Sequence, residues 1–193
     1  MEIRYFDNSA TTRVKKEVLE EMFPYLSVEY GNPSSIYSIG RSAKRAIEKA
    51  RKRVASLINC RPEEIFFTSC GSESDNTALK GIAYANKDKG KHIITSKIEH
   101  PAILNSCHNL EKNGFDVTYI DVDKDGIINL NTLKNSIRSD TILISIMFAN
   151  NEIGTIQPIE EIAQIAHEKN IIFHTDSVQA ARKHTNRCTK NEY

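Results

Sequence analysis

Four short segments carry residue types with chemistry to offer: "SCGSESDN" at 69–76, "SKIEHPA" at 96–102, "ANNEIG" at 149–154 and "TDSVQ" at 175–179. In the first, Gly71 lets the backbone approach a ligand, and Ser72 adds a hydroxyl at or near a helix start. Free amides and the helix dipole there favour an anion, typically a phosphate. The alternative is a plain N-cap, with Asp75 as the acid of a Ser-x-x-Asp capping box. His100 can stack on a flat ring or move a proton, or it can cap a helix. Asn151 can bond a ligand oxygen, or with Asn150 it can stabilise a turn. Asp176 ends an apolar run, where a carboxylate needs a cationic partner such as a protonated ring nitrogen, unless it caps the next turn. Gln179, three residues on, would reach the same ligand.

These segments need a frame that brings them together, and the apolar pattern supplies one. Strand-like runs near 63–69, 91–96, 115–122, 140–150 and 171–176 alternate with helical patterns at 72–86, 101–113, a short stretch after the Asp125-Gly126 turn, and 158–170. Pro101 opens the second of these helices and Gly114 closes it, the usual asymmetry of helix ends. The runs at 140–150 and 171–176 are apolar enough for strands buried on both faces. A β-α-β-α-β-α-β-α-β order implies a mainly parallel sheet covered by helices, reached by right-handed crossovers. Residues 13–26 and 38–58 add two amphipathic helices before it, joined by the turn-rich "EYGNPSSIYSIG". In such sheets ligands sit at the carboxyl ends of strands, which is where all four segments fall.

The totals narrow the field. With 26 basic and 25 acidic residues among 193, the chain has no broad attraction for nucleic acid or membranes. The basic run "AKRAIEKARKRVA" is interleaved at helical spacing and reads as a solvated helix face. No window is long and apolar enough to span a bilayer. Cys60, Cys70, Cys107 and Cys188 form no C-x-x-C pair and fit no zinc module, so no metal site is expected. Scattered cysteines and an N-terminus without a signal-peptide pattern point to a cytoplasmic protein.

A phosphate cradle, a stacking imidazole, an amide and a carboxylate at one sheet end suit an aromatic, phosphorylated cofactor with a basic ring nitrogen, and pyridoxal 5'-phosphate is the candidate. The stretches "YFDNSATT", "YGNPSS", "FTSCGSESDN", "GKHIITSKIEHPAIL", "ANNEIGTIQPI" and "FHTDSVQAA" are similar, in order and spacing from 5 to 181, to those of the cysteine desulfurases of the NifS-like group. That group lies within the class V aminotransferase family of fold-type I pyridoxal-phosphate enzymes. The resemblance implies an α/β large domain over 1–181, incomplete, with its C-terminal strands and the small domain missing. It implies that Gly71 and Ser72 hold the phosphate and that His100 stacks on the ring and assists proton transfer. Asn151 would lie beside the phenolic side of the cofactor and the substrate carboxylate. Asp176 would pair with the ring nitrogen and Gln179 with the phenolic oxygen. It further implies L-cysteine as substrate, alanine as product, a homodimer, and transfer of a persulfide sulfur to acceptor or scaffold proteins for iron–sulfur clusters or tRNA thiolation.

The resemblance stops at Ala181. The family's Schiff-base lysine and sulfur-accepting cysteine match no residue of this sequence; Lys183 and Lys190 fall too early for the former. A full desulfurase reaction is therefore not expected of the chain alone, and the alternatives are a non-catalytic cofactor- or partner-binding fragment and one half of a split enzyme. The strand near 65–69 is expected to lack its neighbour, which would favour poor folding or aggregation. The tail "RKHTNRCTKNEY" at 182–193, back-translated with A/T-rich codons and shifted by one base, reads Gly-Asn-Ile-Pro-Ile-Asp-Val. The family usually continues in this way, so the tail is expected to be out of frame.

Overall fold

The computed structural model describes residues 4–181. The expected boundary after Ala181, and the tail beyond it, lie outside the described residues. The chain divides into two compact units, Met1–Phe66 and Phe67–Tyr193.

In the first unit, α1 (Lys16–Ser27) and α2 (Ser38–Ile58) stand where the periodicity puts them. Helix α1 buries no residue, while α2 buries only Gly40, Ala43 and Ala55. Asn59 ends α2 in the left-handed conformation, a role short polar side chains tolerate. A 3-10 turn, Pro62–Glu64, follows, and the Arg51 guanidinium donates to the Ile65 carbonyl beyond it. The strand expected near 65–69 does not form. No described strand lies beside it to accept its backbone groups, and Phe66 is 83% exposed.

In the second unit, α3 (Gly71–Ala85) leads to β1 (His92–Ser96), α4 (Pro101–Lys112), β2 (Asp116–Ile120), α5 (Leu130–Ser136), β3 (Thr141–Ser145), α6 (Ile159–Glu168) and β4 (Ile172–His174). All pairings between these strands are parallel, and the strand order is β2-β1-β3-β4. Side-chain alternation along the strands builds two cores. Ile93 and Leu143 face one way, packed with Leu79, Ala83, Ile103 and Leu110 of α3 and α4. Ile94 and Ile144 face the other way, with Leu133 of α5 and Ile162 of α6. Helix α4 carries the chain from β1 out to β2, whereas α5 and α6 carry it back across β1 to β3 and on to β4. A fixed crossover hand requires such a reversal of direction to place the helices on opposite faces. The central strands β1 and β3 are buried throughout. Strand β4 differs from the expected fully buried strand: it is the sheet edge, and Ile172 is 41% exposed.

The helix ends follow local chemistry. Pro101 opens α4, Gly114 at φ 83° closes it, and the Asn129 side chain accepts from the amides of Asn131 and Thr132 at the start of α5. Because the chain leaves β1 in both directions, the connections beyond β1 and β3 part company. Their carboxyl ends therefore flank the crevice where α/β sheets take ligands.

Candidate functional site

The N-cap of α3 is Cys70, so Gly71 and Ser72 are the first two helical residues and Ser72 lies inside the helix rather than capping it. The first helical bond runs from the Ser74 amide to the Cys70 carbonyl, which leaves the amides of Gly71, Ser72 and Glu73 without intrahelical partners. The Ser-x-x-Asp capping box is not made. Glu73 instead accepts from the amide and hydroxyl of Ser69, at 2.7 and 2.6 Å, while Asp75 turns inward and is buried. A Cβ on Gly71 would sit 3.2 Å from Val178 Cγ2. The α3 start and the segment after β4 therefore meet at close quarters.

His100 caps α4 and keeps a face for other work. Its Nδ1 accepts from the Ala102 amide at 3.1 Å, which in the neutral ring leaves the proton on Nε2. The two asparagines divide the roles that the sequence left open. Asn150 builds the turn: its Oδ1 accepts from the amides of Glu152 and Ile153, and its Nδ2 donates to the Ile98 carbonyl at 3.0 Å, tying the end of β3 to the end of β1. Asn151, half-buried, has no polar partner for its amide among the described residues. Asp176 is likewise shared. Its Oδ1 accepts from the Val178 amide at 2.9 Å, as a turn cap does, and its Oδ2 is uncommitted among the described residues. The side chain of Gln179 is half-buried and also without a polar partner among them.

Two polar groups, the buried Glu99 and the largely buried His174, went unassigned in the sequence, and a third, Asp75, was offered there only as a capping acid. Glu99 is 5% exposed and spans the crevice: it accepts from the Ser96 hydroxyl at 2.6 Å, and the Met147 amide donates to both its oxygens at 3.0 Å. Burial, first of all, pushes its carboxyl up to about 7; the Ser96 and Met147 hydrogen bonds oppose this. Asp75 is pushed up to about 6 by burial and then by the charge of Asp176. His174 is pushed down to about 4 by burial, so its imidazole is neutral. The signal for His174 was its spacing: two residues before Asp176, it shares a strand face with that acid.

All of these groups lie at the carboxyl end of one sheet. The Ile146 amide donates to the His174 carbonyl and the Phe148 amide to the Asp176 carbonyl, so parallel pairing continues past β4 and sets Asp176 beside the exit of β3. Two other concavities, one along β2 lined by Asp121 and Thr132 and one along α2 lined by Arg45 and Lys52, gather no comparable set.

The aminotransferase class-V family model matches residues 4–190. The chain belongs to that family. Among class-V relatives, a cysteine desulfurase IscS of Methanosarcina thermophila is 63% identical over 91% of this chain and 44% of its own length. A NifS-like protein of known structure superposes with a TM-score of 0.89 at 46% identity, over 91% of this chain and 49% of its own. SspA, solved in complex with cysteine, gives 0.89 at 44% identity over 92% and 51%. The chain thus spans about half the length of the class-V proteins it matches. Its fold is that of their pyridoxal-phosphate domain, and the family depends on that cofactor.

The described residues fit the cofactor. Orphan amides and a close-approach glycine suit a phosphate, the uncommitted Asp176 oxygen suits a protonated ring nitrogen, and the uncommitted amides of Asn151 and Gln179 suit ring oxygens. A buried hydroxyl, Thr175 Oγ1, also stands unpartnered beside Asp176.

Proposed function

We propose that these 193 residues furnish the cofactor-binding face of a cysteine desulfurase, the activity that takes sulfur from L-cysteine, leaves L-alanine and hands on a persulfide for iron–sulfur or thio-cofactor synthesis. The observation that carries this reading is the crevice itself. His100 and Asp176 each satisfy a structural need with one atom and leave another uncommitted, Asn151 and Gln179 make no polar contact among the described residues, and these groups gather at the switch point of a class-V sheet.

Pyridoxal phosphate, when bound, supplies an electron sink that stabilises negative charge on the adjoining substrate carbon. The chain's residues do the rest of the work available here. The amides of Gly71, Ser72 and Glu73, with the Ser72 hydroxyl, hold the phosphate dianion at the positive end of α3. Asp176 Oδ2 keeps the ring nitrogen protonated through a charge-assisted hydrogen bond. His100 offers a ring face and the Nε2 proton while Nδ1 stays fixed to α4. Gln179 and Asn151 orient the phenolic side and the substrate carboxylate. Glu99 fixes the two lips of the crevice between which His100 and Asn151 stand.

No residue here matches the family's Schiff-base lysine or acceptor cysteine, so the full reaction is not proposed for these residues alone. A homodimer and sulfur-acceptor proteins are the partners proposed with this activity. The test is release of alanine and sulfide from L-cysteine with excess pyridoxal phosphate. The 193-residue chain alone is expected to give no turnover above the cofactor blank, and turnover by it alone would contradict the proposal.

A further inference from the structure

Asp75 shares the buried stripe of α3 with Leu79 and Ala83, four and eight residues on. An apolar residue would serve the core there. Instead a carboxyl stands with 7% of its side chain exposed, and its polar partner among the described residues is Nε2 of His174 at 3.9 Å, too long for a hydrogen bond. A neutral imidazole at that distance is no counter-ion. His174 is itself held from behind, its Nδ1 2.9 Å from the hydroxyl of Ser145 on β3. Since pairing continues in register past β4, His174 and Asp176 stand on the same face of the sheet, the face that α3 covers. Ser145, His174 and Asp75 thus form a buried polar line from β3 through β4 to α3, directly beneath the acid at the strand end.

We propose that Asp75, backed by His174, is a positioning residue for Asp176: it carries a proton while Asp176 faces the crevice unpaired, and releases that proton to solvent when a cationic ring nitrogen pairs with Asp176. This rests on the cofactor reading above. The charged and titratable groups facing Asp75 are Asp176 after β4, His174 on β4, His100 at the start of α4, and Glu99 between β1 and α4. Burial and the Asp176 charge favour the protonated form of Asp75, with its carboxyl at about 6, and His100 opposes them. A cation delivered to Asp176 removes the second of these influences, so binding and proton loss are linked. The device keeps two adjacent carboxylates from being charged together in the unfilled crevice, and it restores the second charge when the cofactor brings a positive one.

The test is the affinity of the chain for pyridoxal phosphate by equilibrium dialysis, compared between the wild type and Asp75→Asn. Ionisations of the cofactor are common to both proteins and cancel in the ratio. Between about pH 7 and about pH 5 the wild type is expected to lose severalfold more affinity than the variant, since burial, the larger influence on Asp75, persists in the filled crevice and only part of the proton is released there. Binding with an unchanging ratio overturns this inference and leaves the cofactor reading standing; absence of binding by the wild type overturns both. A second measurement needs the wild type alone. The imidazole 15N signals of His174 are expected to show a step near about pH 6 in the cofactor-free chain that moves to lower pH with pyridoxal phosphate present. A step that stays in place, or no step, overturns the proposal even if Asp75→Asn does not fold.

Discussion

At position 99 a carboxylate with both oxygens engaged joins the exit of β1 to the exit of β3. Removing it in Glu99→Ala leaves the buried Met147 amide without its acceptor, at a cost of roughly 2–4 kcal/mol in denaturant unfolding. Glu99→Gln keeps one acceptor and should cost less. The pH dependence separates charge from shape. The Glu99 carboxyl rises from 4.5 to about 7 on folding, so the folded chain binds the extra proton, and Glu99 makes stability fall as pH rises across that window. Chemical denaturation across the window should show a flatter profile for Glu99→Gln than for the wild type; parallel profiles would remove Glu99 as the source. At this scale the sequence was legible where a polar residue stands at the boundary of an element, as His100 does before α4 and Asp176 after β4. It was mute on Glu99 and offered Asp75 only as a capping acid; the burial of both depends on neighbours some 50 or 100 residues distant, such as Met147 and His174. It also could not say which half of Asn150-Asn151 would build the turn, since Asn150 is in addition tied to the distant Ile98 carbonyl.

The elements were legible in proportion to the length of their periodic signal. Helices α2 and α6 repeat apolar residues over several turns, and α4 is bracketed by Pro101 and Gly114. The stretch at 65–69 has strand composition but no ladder, since a strand is a relation between two segments and no described segment lies beside it. Strand β4 was expected to be buried on both faces from its apolar run and lies at the edge instead; apolar content cannot report the strand order. Two measurements address this scale. Leu143→Ala, in the fully buried centre of β3, should lower stability by about 2–5 kcal/mol through lost burial and a residual cavity. Asn129→Ala should cost about 1 kcal/mol by freeing the amides of Asn131 and Thr132 at the start of α5. Urea midpoints check both, and an unchanged midpoint for Leu143→Ala would contradict the two-core description.

The described residues comprise a four-stranded parallel sheet with helices on both faces and, earlier in the sequence, a two-helix unit, in a chain about half as long as the class-V relatives it matches. Alternating strand and helix patterns revealed the parallel sheet, and the common direction of its strands then placed their polar exit segments at one end. The central claim is that this end alone forms a seat for pyridoxal phosphate, with Asp176 holding the ring nitrogen. The most direct measurement is the binding of pyridoxal phosphate to the 193-residue chain, followed by cofactor absorbance and repeated with Asp176→Asn. The expected result is one saturable site per chain, weakened by roughly tenfold to a hundredfold in the variant, the size of a lost hydrogen bond to a charged group. Borohydride should attach no cofactor to the wild-type protein. The absence of a saturable site, or equal affinity in Asp176→Asn, would contradict the account.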